Sequence, residues 1–313
     1  MYEQLWMSLN VVLPMACLLG IGVLLHKTNV ITPAEMKPVD RMNFRLFTPM
    51  LLFKNICTAD LTVALNPRTA AFIVCALLFC FACAMFFPPR MIKDRRKAAS
   101  VAQAIVRTNY ILLGIATGEA IYGAGNVGFI ALYGVLIVPM LNVLAVIVLE
   151  LNLNGKASPG KVLLSVLKNP MIIAAICGLT VSALHITLPS FLASVVQSVA
   201  SVATCISFLS LGVCMDLGEL RRDRGPLMFG IGMRMLVLPL LILPCAILCG
   251  LRGVELCTVM ILFASPVGVG TYPTAVAMGA DGQLAGQLVY TTTILSVITI
   301  FLYTFLLGSF GLL

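Results

Sequence analysis

Long apolar runs recur along the whole chain, and they are the feature that most restricts its fold. Runs of about 18 or more apolar residues are long enough to cross roughly 30 Å of hydrocarbon as helices. Only 10% of the 313 residues are charged, whereas about a quarter are charged in an ordinary soluble domain. Backbone groups in lipid must be paired internally, and runs of this length favour helices over barrel strands. The sequence therefore predicts an all-α polytopic membrane protein.

The apolar runs lie between clusters of charged and turn-forming residues, and these clusters divide the chain into ten predicted spans. The first run lacks a basic leader and a cleavage motif, so it is interpreted as a span rather than a signal peptide. The ten spans are Leu5–Leu25, Met42–Cys57, Thr69–Phe87, Ala98–Tyr122, Val127–Leu149, Pro170–Leu188, Phe191–Met215, Leu227–Leu248, Val254–Met278 and Leu284–Leu307.

Basic residues concentrate in alternate loops of this ten-span arrangement. They lie after the first, third, fifth and seventh spans, and the intervening loops are nearly bare except for Arg68 and Arg252. By the positive-inside rule, this alternation predicts a cell (inner) membrane protein with both termini outside the cytoplasm. The net charge of +8 then reports orientation, and no nucleic-acid partner is predicted.

An offset of 156 residues, almost half the chain, superimposes several helix-breaking residues. Pro14 falls on Pro170 and Pro33 on Pro189, and glycines such as Gly123 and Gly279 also match. The offset predicts two five-span repeats, residues 1–155 and 156–313. Because five is odd, the second repeat must enter the membrane from the opposite side, which is an arrangement typical of secondary transporters. A chance register in an apolar chain is the alternative.

The fourth and ninth spans carry the residues expected to interrupt a helix near the middle of the membrane. In the ninth, Pro266 and Pro273 flank Gly268 and Gly270; the fourth has Gly114 but no proline. Proline removes a backbone donor and glycine loosens the chain. The second half of each broken helix would then present free N–H groups and partial positive charge, which attract anions.

Two arginines strengthen the expectation of an anion site. Arg107 lies ten residues after Lys97, and Arg234 lies ten residues after Arg224. At 1.5 Å per residue, each reaches up to ~15 Å into the membrane. A charged residue in a span indicates function by default. Snorkelling to headgroups, or a hydrogen bond to an interrupted carbonyl, is the structural alternative for both.

The acidic and metal-binding residues exclude several other functions. Most acidic residues lie at span ends or in loops, and Glu119 is the single candidate identified within a span, either as a proton carrier or as an interfacial residue. A carboxylate-based cation antiport site is therefore disfavoured. Cys80 and Cys83 are interpreted as buried apolar residues rather than a metal pair. The chain has no His-Glu-x-x-His motif and no paired intramembrane aspartates, so no metal, cofactor or enzymatic activity is predicted.

Several segments in this order resemble the auxin efflux carrier family in its short bacterial form. They are Pro49–Phe53, Arg107–Tyr110 running to Gly114, Lys168–Pro170, Leu211–Met215 and Ser265–Gly279. The resemblance implies a fold like that of bile acid symporters and sodium/proton antiporters. Spans 1, 2, 6 and 7 would form a scaffold, and spans 3–5 and 8–10 a transport domain that moves like an elevator. It also implies a homodimer in the lipid bilayer.

Family members carry organic anions, so the resemblance implies a secondary transporter of malate, malonate or an auxin-like acid. The resemblance places Arg107, Asn109, Gly114, Ser265, Pro266 and Gly270 at the crossing, and the candidate substrate site also includes Thr271 and Arg234. Gly114 is followed by Ile115 where the family often has proline, which predicts a less sharp break there. Proton or sodium coupling stays open, since hydroxyls such as those of Thr108, Ser265 and Thr271 can hold sodium. The alternatives are a sodium symporter or cation/proton antiporter of this fold and, less favoured, a non-transporting sensor or an intramembrane enzyme.

Overall fold

A computed structural model describes residues 14, 17–57, 66–122, 128–154, 164, 167–184, 186–215 and 223–313. These residues are almost entirely helical, and no strand occurs among them beyond an isolated bridge between Thr108 and Val267. Five helical stretches among them are long and apolar enough to cross a membrane, namely Pro67–Met91, Leu136–Leu153, Ser190–Val213, Arg224–Leu248 and Gly282–Ser309. The prediction of an all-α polytopic chain is therefore confirmed.

The described helices of the first half coincide with the predicted spans, except that the second helix begins at Pro33 and not at Met42. The predicted start is wrong because Thr32 and Glu35 form a capping box that begins the helix earlier. Helix α2 is continuous but widens into a π-helical segment in its middle, and the start predicted for the first span, Leu5, lies outside the described residues. The helices are α1 (Cys17–Lys27), α2 (Pro33–Met42, π-helical Asn43–Phe47 and Thr48–Cys57), α3 (Pro67–Phe86, then a turn at Pro88–Met91), α4a (Arg95–Val106), α4b (Tyr110–Tyr122) and α5 (Gly128–Asn154).

The helices of the second half repeat this succession, with the π-helical segment now in the third of them. They are α6 (Pro170–Ala183), α7 (Ser190–Val213), α8 (Arg224–Gly232, π-helical Met233–Val237 and Leu238–Leu248), α9a (Gly253–Ala264), α9b (Thr271–Met278) and α10 (Gly282–Ser309).

Side-chain caps fix where several helices begin. The carboxamide oxygen of Asn169 accepts from the backbone N–H of Met171 at 2.9 Å, and Pro170 follows at the first helical position. Asn66 caps α3 in the same way, and Asp94 and Asp281 cap α4a and α10. Such caps satisfy N–H groups that lack a partner in the first turn. The polar residues at these N-termini thus provide hydrogen-bond acceptors for backbone N–H groups where the apolar helices begin.

Both candidate broken helices are interrupted in the structure. In the ninth span, α9a ends at Ala264 and α9b begins at Thr271, as predicted. In the fourth, α4a ends at Val106 and α4b begins at Tyr110, so the interruption precedes Gly114. Gly114 lies within α4b, where a Cβ would lie 2.9 Å from Cγ2 of Ile130 and 3.2 Å from Cγ2 of Ile261. The expectation that Gly114 marks the break is therefore wrong.

Packing of the described helices forms one large apolar cluster and two small ones, one of which consists mainly of alanines such as Ala99 and Ala285. The larger cluster joins α3, α4a, α5, α7, α8, α9a and α10, through residues such as Ile105, Leu211, Leu243, Phe263 and Leu288. A smaller one joins α2 and α6 with one side of α5, through Phe44, Leu52, Ile56, Val146 and Met171.

At the edge of the larger cluster, Lys97 of α4a forms an ion pair with Asp223, the residue that precedes α8. The hydrogen bond from Lys97 to this carboxylate raises the pKa of the Lys97 ammonium group. The pair therefore persists throughout the neutral pH range.

Candidate functional site

The two interrupted helices cross where their backbones are extended. The N–H of Asn109 donates to the carbonyl of Pro266 at 3.0 Å, and the N–H of Gly268 donates to the carbonyl of Arg107 at 3.2 Å. Between them, Thr108 and Val267 form an antiparallel bridge. These bonds satisfy groups that the helix breaks would otherwise leave unpaired in a non-aqueous interior. Backbone hydrogen bonds therefore hold the two interrupted segments together at the crossing.

A cavity of about 280 Å³ lies against this crossing. Its wall contains residues from the two crossing segments and from α2, α5, α6 and α7. Among the described residues of that wall, Arg107 is the single charged one. The polar members of the lining are Thr48, Asn55, Arg107, Thr108, Asn109, Asn142, Thr204 and Ser207. A cavity of this size is at the lower end of the range for small-molecule sites. It suits a small ligand with a negative charge.

Arg107 is 7% exposed and is held in place by three hydrogen bonds. Its Nη1 donates to the carbonyl of Gly270 at 3.0 Å and to the hydroxyl of Thr274 at 2.9 Å. Its Nη2 donates to the carboxamide oxygen of Asn142 at 2.8 Å. A guanidinium group has five donors, so Nε and one Nη2 proton have no partner among the described residues. No acidic side chain of those residues pairs with this buried charge.

The beginnings of both second half-helices face the same cavity. Tyr110 and Ile111, the first residues of α4b, belong to its lining, as do Val269 and Gly270, which immediately precede α9b. Helix N-termini carry unpaired N–H groups and about half a positive charge. Their field adds to that of Arg107, so three sources of positive potential converge on one cavity.

Arg234 has a different environment, although it too is buried, at 1% exposure. Its Nε and Nη2 donate to the carbonyl of Ser265 at 3.1 and 3.0 Å, and its Nη2 also donates to Leu262 at 2.7 Å. Its Nη1 donates to the carbonyl of Ile105 at 3.3 Å. These carbonyls belong to the last turns of α4a and α9a, where helix dipoles are negative. Arg234 thus connects the ends of both first half-helices, and it does not line the cavity.

The candidate residues fall into two groups around the crossing. Arg107, Asn109 and Gly270 line the cavity. Ser265 and Pro266 form the neighbouring extended backbone, and Thr271 begins α9b with a buried hydroxyl. Gly114 and Arg234 lie away from the cavity wall. The side chain of Glu119 is outside the described set.

Sequence reasoning missed three polar residues with positions near the crossing. Asn142 and Thr274 hold Arg107, and both lie within apolar spans where their polarity was the available signal. Asp40 is 1% exposed in α2 and faces Tyr272 of α9b. It lies two residues before the predicted second span, so the span boundaries do not place it among the intramembrane acids. Its periodicity with buried Met36 and Phe44, at four-residue steps, could have placed it on the interior face.

Comparison with known proteins gives a family for the second half of the chain. The profile of the family described as membrane transport protein, which is of the auxin efflux carrier type, matches residues 155–304. This range includes Arg234, the whole break between α9a and α9b, and most of α10, so the family resemblance is confirmed there. A comparison with curated proteins found no significant match. The matched family and the apolar helices together identify a multi-pass membrane transport protein.

Proposed function

We propose that this membrane transport protein, with a second half of the auxin efflux carrier type, is a secondary transporter of small organic anions. Mono- or dicarboxylates such as malate and malonate are the proposed substrates, and one carboxylate binds Arg107. The observation that carries the proposal is the guanidinium of Arg107, which has no acidic partner among the described residues and lines a cavity that both half-helix N-termini face. A buried charge without a partner is costly, and a bound carboxylate would supply that partner with two charge-assisted hydrogen bonds.

We further propose that two inverted five-helix repeats, residues 1–155 and 156–313, form the fold. The matching interruptions in α4 and α9, and the antiparallel contact between them, support this symmetry. The packing of α2 on α6 and α7, and of α3 on α4a and α5, supports a scaffold from spans 1, 2, 6 and 7 and a transport domain from spans 3–5 and 8–10. The cavity lies between these groups, which is where elevator-type movement would expose it alternately to each side. The inner-membrane location, the outward-facing termini and the homodimer stay predictions.

The test replaces Arg107 in purified protein and measures carboxylate binding and transport. Arg107→Ala removes the charge that the substrate would neutralise, so we expect radiolabelled malate uptake into proteoliposomes to be abolished. Loss of a buried charged hydrogen bond should weaken binding by about 1.5–3 kcal/mol, or roughly 10- to 150-fold. The melting-temperature increase that malate gives the wild type should disappear with it.

Two controls separate substrate binding from folding in this experiment. Arg90→Ala removes an exposed arginine that lies over the ring of Phe86, 3.8 Å from the ring centre, and it should transport normally. Circular dichroism and the melting temperature without ligand show whether Arg107→Ala folds. A folded Arg107→Ala protein that transports malate at the wild-type rate would contradict the anion site.

Sodium-coupled symport is the second candidate. The hydroxyl oxygens of Thr108, Ser265 and Thr271 are buried near the crossing without a hydrogen-bond partner among the described residues. Buried oxygens of this kind are ligands suited to a hard cation. Replacing sodium by choline in the uptake assay separates the two candidates. Uptake should stop without sodium if transport is sodium-coupled, because choline is too large for a site built for sodium, and should otherwise continue.

A further inference from the structure

Asp40 is a buried acid between three helices, outside the cavity that contains Arg107. It lies on α2, and it faces Ser210 of α7 and Tyr272 of α9b. Both of its carboxyl oxygens are buried and have no hydrogen-bond partner of ordinary geometry, and the same holds for the Ser210 hydroxyl. No basic side chain of the described residues forms an ion pair with Asp40. The contact therefore holds a carboxyl group without compensating its charge.

The other titratable groups near Asp40 offer no strong positive charge. Lys37 lies one turn earlier on α2 and Arg41 follows Asp40 in the chain, but both are exposed and line a separate cavity. Cys214, just after α7, and Tyr272 are weak acids that are neutral at physiological pH. The remaining helices packed on Asp40 contribute no charged side chain, because α7 and α9b contain none. Ionised Asp40 would thus have no ion-pair partner among the described residues.

The lack of such a partner makes the contact sensitive to protonation. A buried carboxylate with only two hydroxyl groups nearby, and no hydrogen bond of ordinary geometry, is much less stable than the neutral acid, which has a donor of its own and little charge to desolvate. The closed contact of α2 with α9b therefore favours the protonated acid. If α9b moves away from α2, water can reach Asp40 and stabilise the carboxylate. A ligand that binds one conformation better shifts the equilibrium towards it, and here that ligand is a proton.

Routes for the proton lie on both sides of this contact. On one side, Lys37 and Arg41 of the same helix line a cavity of about 430 Å³, which brings water within about a turn of Asp40. On the other, Tyr272 and Cys214 line a space of about 10 Å³, which is room for about one water molecule. Asp40 itself lines neither space, but residues close to it line both.

We propose that Asp40 is a proton-binding site, which is protonated in the closed contact between α2 and α9b and ionised when that contact opens. The consequence for uptake rests on the transport function proposed above, whereas proton binding by Asp40 does not. Protonation would favour the closed arrangement, and alkaline pH would favour the open one. Carriage of the anion would therefore depend on pH through one side chain outside the anion cavity.

The first experiment measures protonation directly and needs no substrate. The infrared absorption of protonated carboxyl groups is recorded for the purified protein from about pH 5 to about pH 8. We expect a band that weakens as the pH rises and is missing from Asp40→Asn. Glu35→Gln is the matched control, because it changes an exposed carboxylate on the same helix to a residue that also suits its capping position. An identical spectrum for wild type and Asp40→Asn overturns the proposal.

Tyr272→Phe keeps this test decisive if Asp40→Asn does not fold. It removes the hydroxyl that faces the carboxyl group and leaves the ring in place. The band should then persist to higher pH than in the wild type, because one group able to stabilise the carboxylate is gone. A band with the wild-type pH dependence in folded Tyr272→Phe would contradict a proton site at this contact.

The second experiment measures exchange of radiolabelled malate with equal pH on both sides of proteoliposomes. Wild-type exchange should fall with rising pH, by up to about tenfold per unit once Asp40 is mostly ionised. Asp40→Asn should exchange at a rate that hardly varies with pH. If no carboxylate is bound or exchanged by the wild type, the transport proposal fails and the infrared result still decides the proton site. If both proteins exchange malate with the same pH profile, the proton proposal fails and the transport function stands.

Discussion

Arg107 and Arg234 are both buried, but the number of free donors separates their roles. Arg234 directs its donors at the carbonyls of Ile105, Leu262 and Ser265 and has little hydrogen-bonding capacity left. Arg107 has two N–H groups without a partner among the described residues, and it lines the cavity. Of the two alternatives that the sequence leaves open for Arg234, the hydrogen bonds support a structural one. An arginine is suited to this role because its rigid planar fork can bind several carbonyls simultaneously.

Arg234→Met should therefore reduce stability more than it reduces substrate recognition. The substitution leaves three buried carbonyls without donors and removes the charge that faces two helix C-termini. Removing one side of a buried charged network costs roughly 3–5 kcal/mol, which should appear as a large drop in melting temperature. Arg234→Lys should recover part of that loss. Malate should still raise the melting temperature of whatever protein folds.

The contrast with Arg107→Ala makes this prediction specific. That variant should lose the malate effect and retain more of its stability, because fewer backbone carbonyls depend on it. An Arg234→Met protein with unchanged melting temperature but no response to malate would reverse the two assignments. It would place Arg234, rather than Arg107, in the substrate site.

At the scale of the helices, the crossing depends on two glycines with different neighbours. A Cβ on Gly268 would lie 3.0 Å from the carbonyl oxygen of Thr108, which is backbone of the opposing segment. A Cβ on Gly270 would lie 2.5 Å from Nη2 of Arg107, which is the far end of a side chain. The φ angle of Gly270 is −64° and accepts alanine. One position thus controls the distance between two backbones, and the other controls the location of the guanidinium.

Alanine substitutions at these positions should have separable effects. Gly268→Ala should lower the melting temperature, because the segments that share two backbone hydrogen bonds are forced apart. Gly270→Ala should leave the melting temperature nearly unchanged and weaken malate binding, because Arg107 must rotate away. Gly225→Ala is the control, since a Cβ there meets nothing within 4 Å. Equal effects of both variants on stability and binding would argue against this division.

The helix breaks also show which features local sequence predicts. The ninth span has two prolines and two glycines near its break, and its interruption was located correctly. The fourth has no proline, and its interruption lies at residues 107–109, where no local signal exists. Arg107 is extended there, with φ −84° and ψ 122°, because its carbonyl and the Asn109 N–H bond to the opposing segment. That cause is tertiary, so a pattern within one span could not reveal it. The same limit applied to Asn142 and Thr274, whose roles depend on a partner from another helix.

At the scale of the whole molecule, the two larger cavities follow one face of α2. Lys37, Arg41 and Phe44 line the cavity of about 430 Å³, here called the basic cavity. On later turns of the same face, Thr48 and Asn55 line the cavity of about 280 Å³ that contains Arg107. Arg45 and Arg96 add to the positive charge of the basic cavity, and Val276, Ala277 and Ala280 at the end of α9b form its other wall. An anion that enters between α2 and α9b would meet exposed positive charges before it reaches Arg107. Clefts lined with one sign of charge concentrate ions of the opposite sign.

This arrangement predicts a dependence of uptake on ionic strength that belongs to the basic cavity. The double variant Arg41→Gln, Arg45→Gln should raise the KM for malate several-fold at low salt and leave kcat unchanged, because these residues attract the anion but do not hold it. The difference from the wild type should vanish near 1 M salt, where charges are screened beyond about 3 Å. The pair Lys93→Gln, Arg95→Gln is the matched control, since both residues are exposed and neither lines the cavity. If the control raises KM as much as the test pair, the effect reflects net charge on this face and not a path between α2 and α9b.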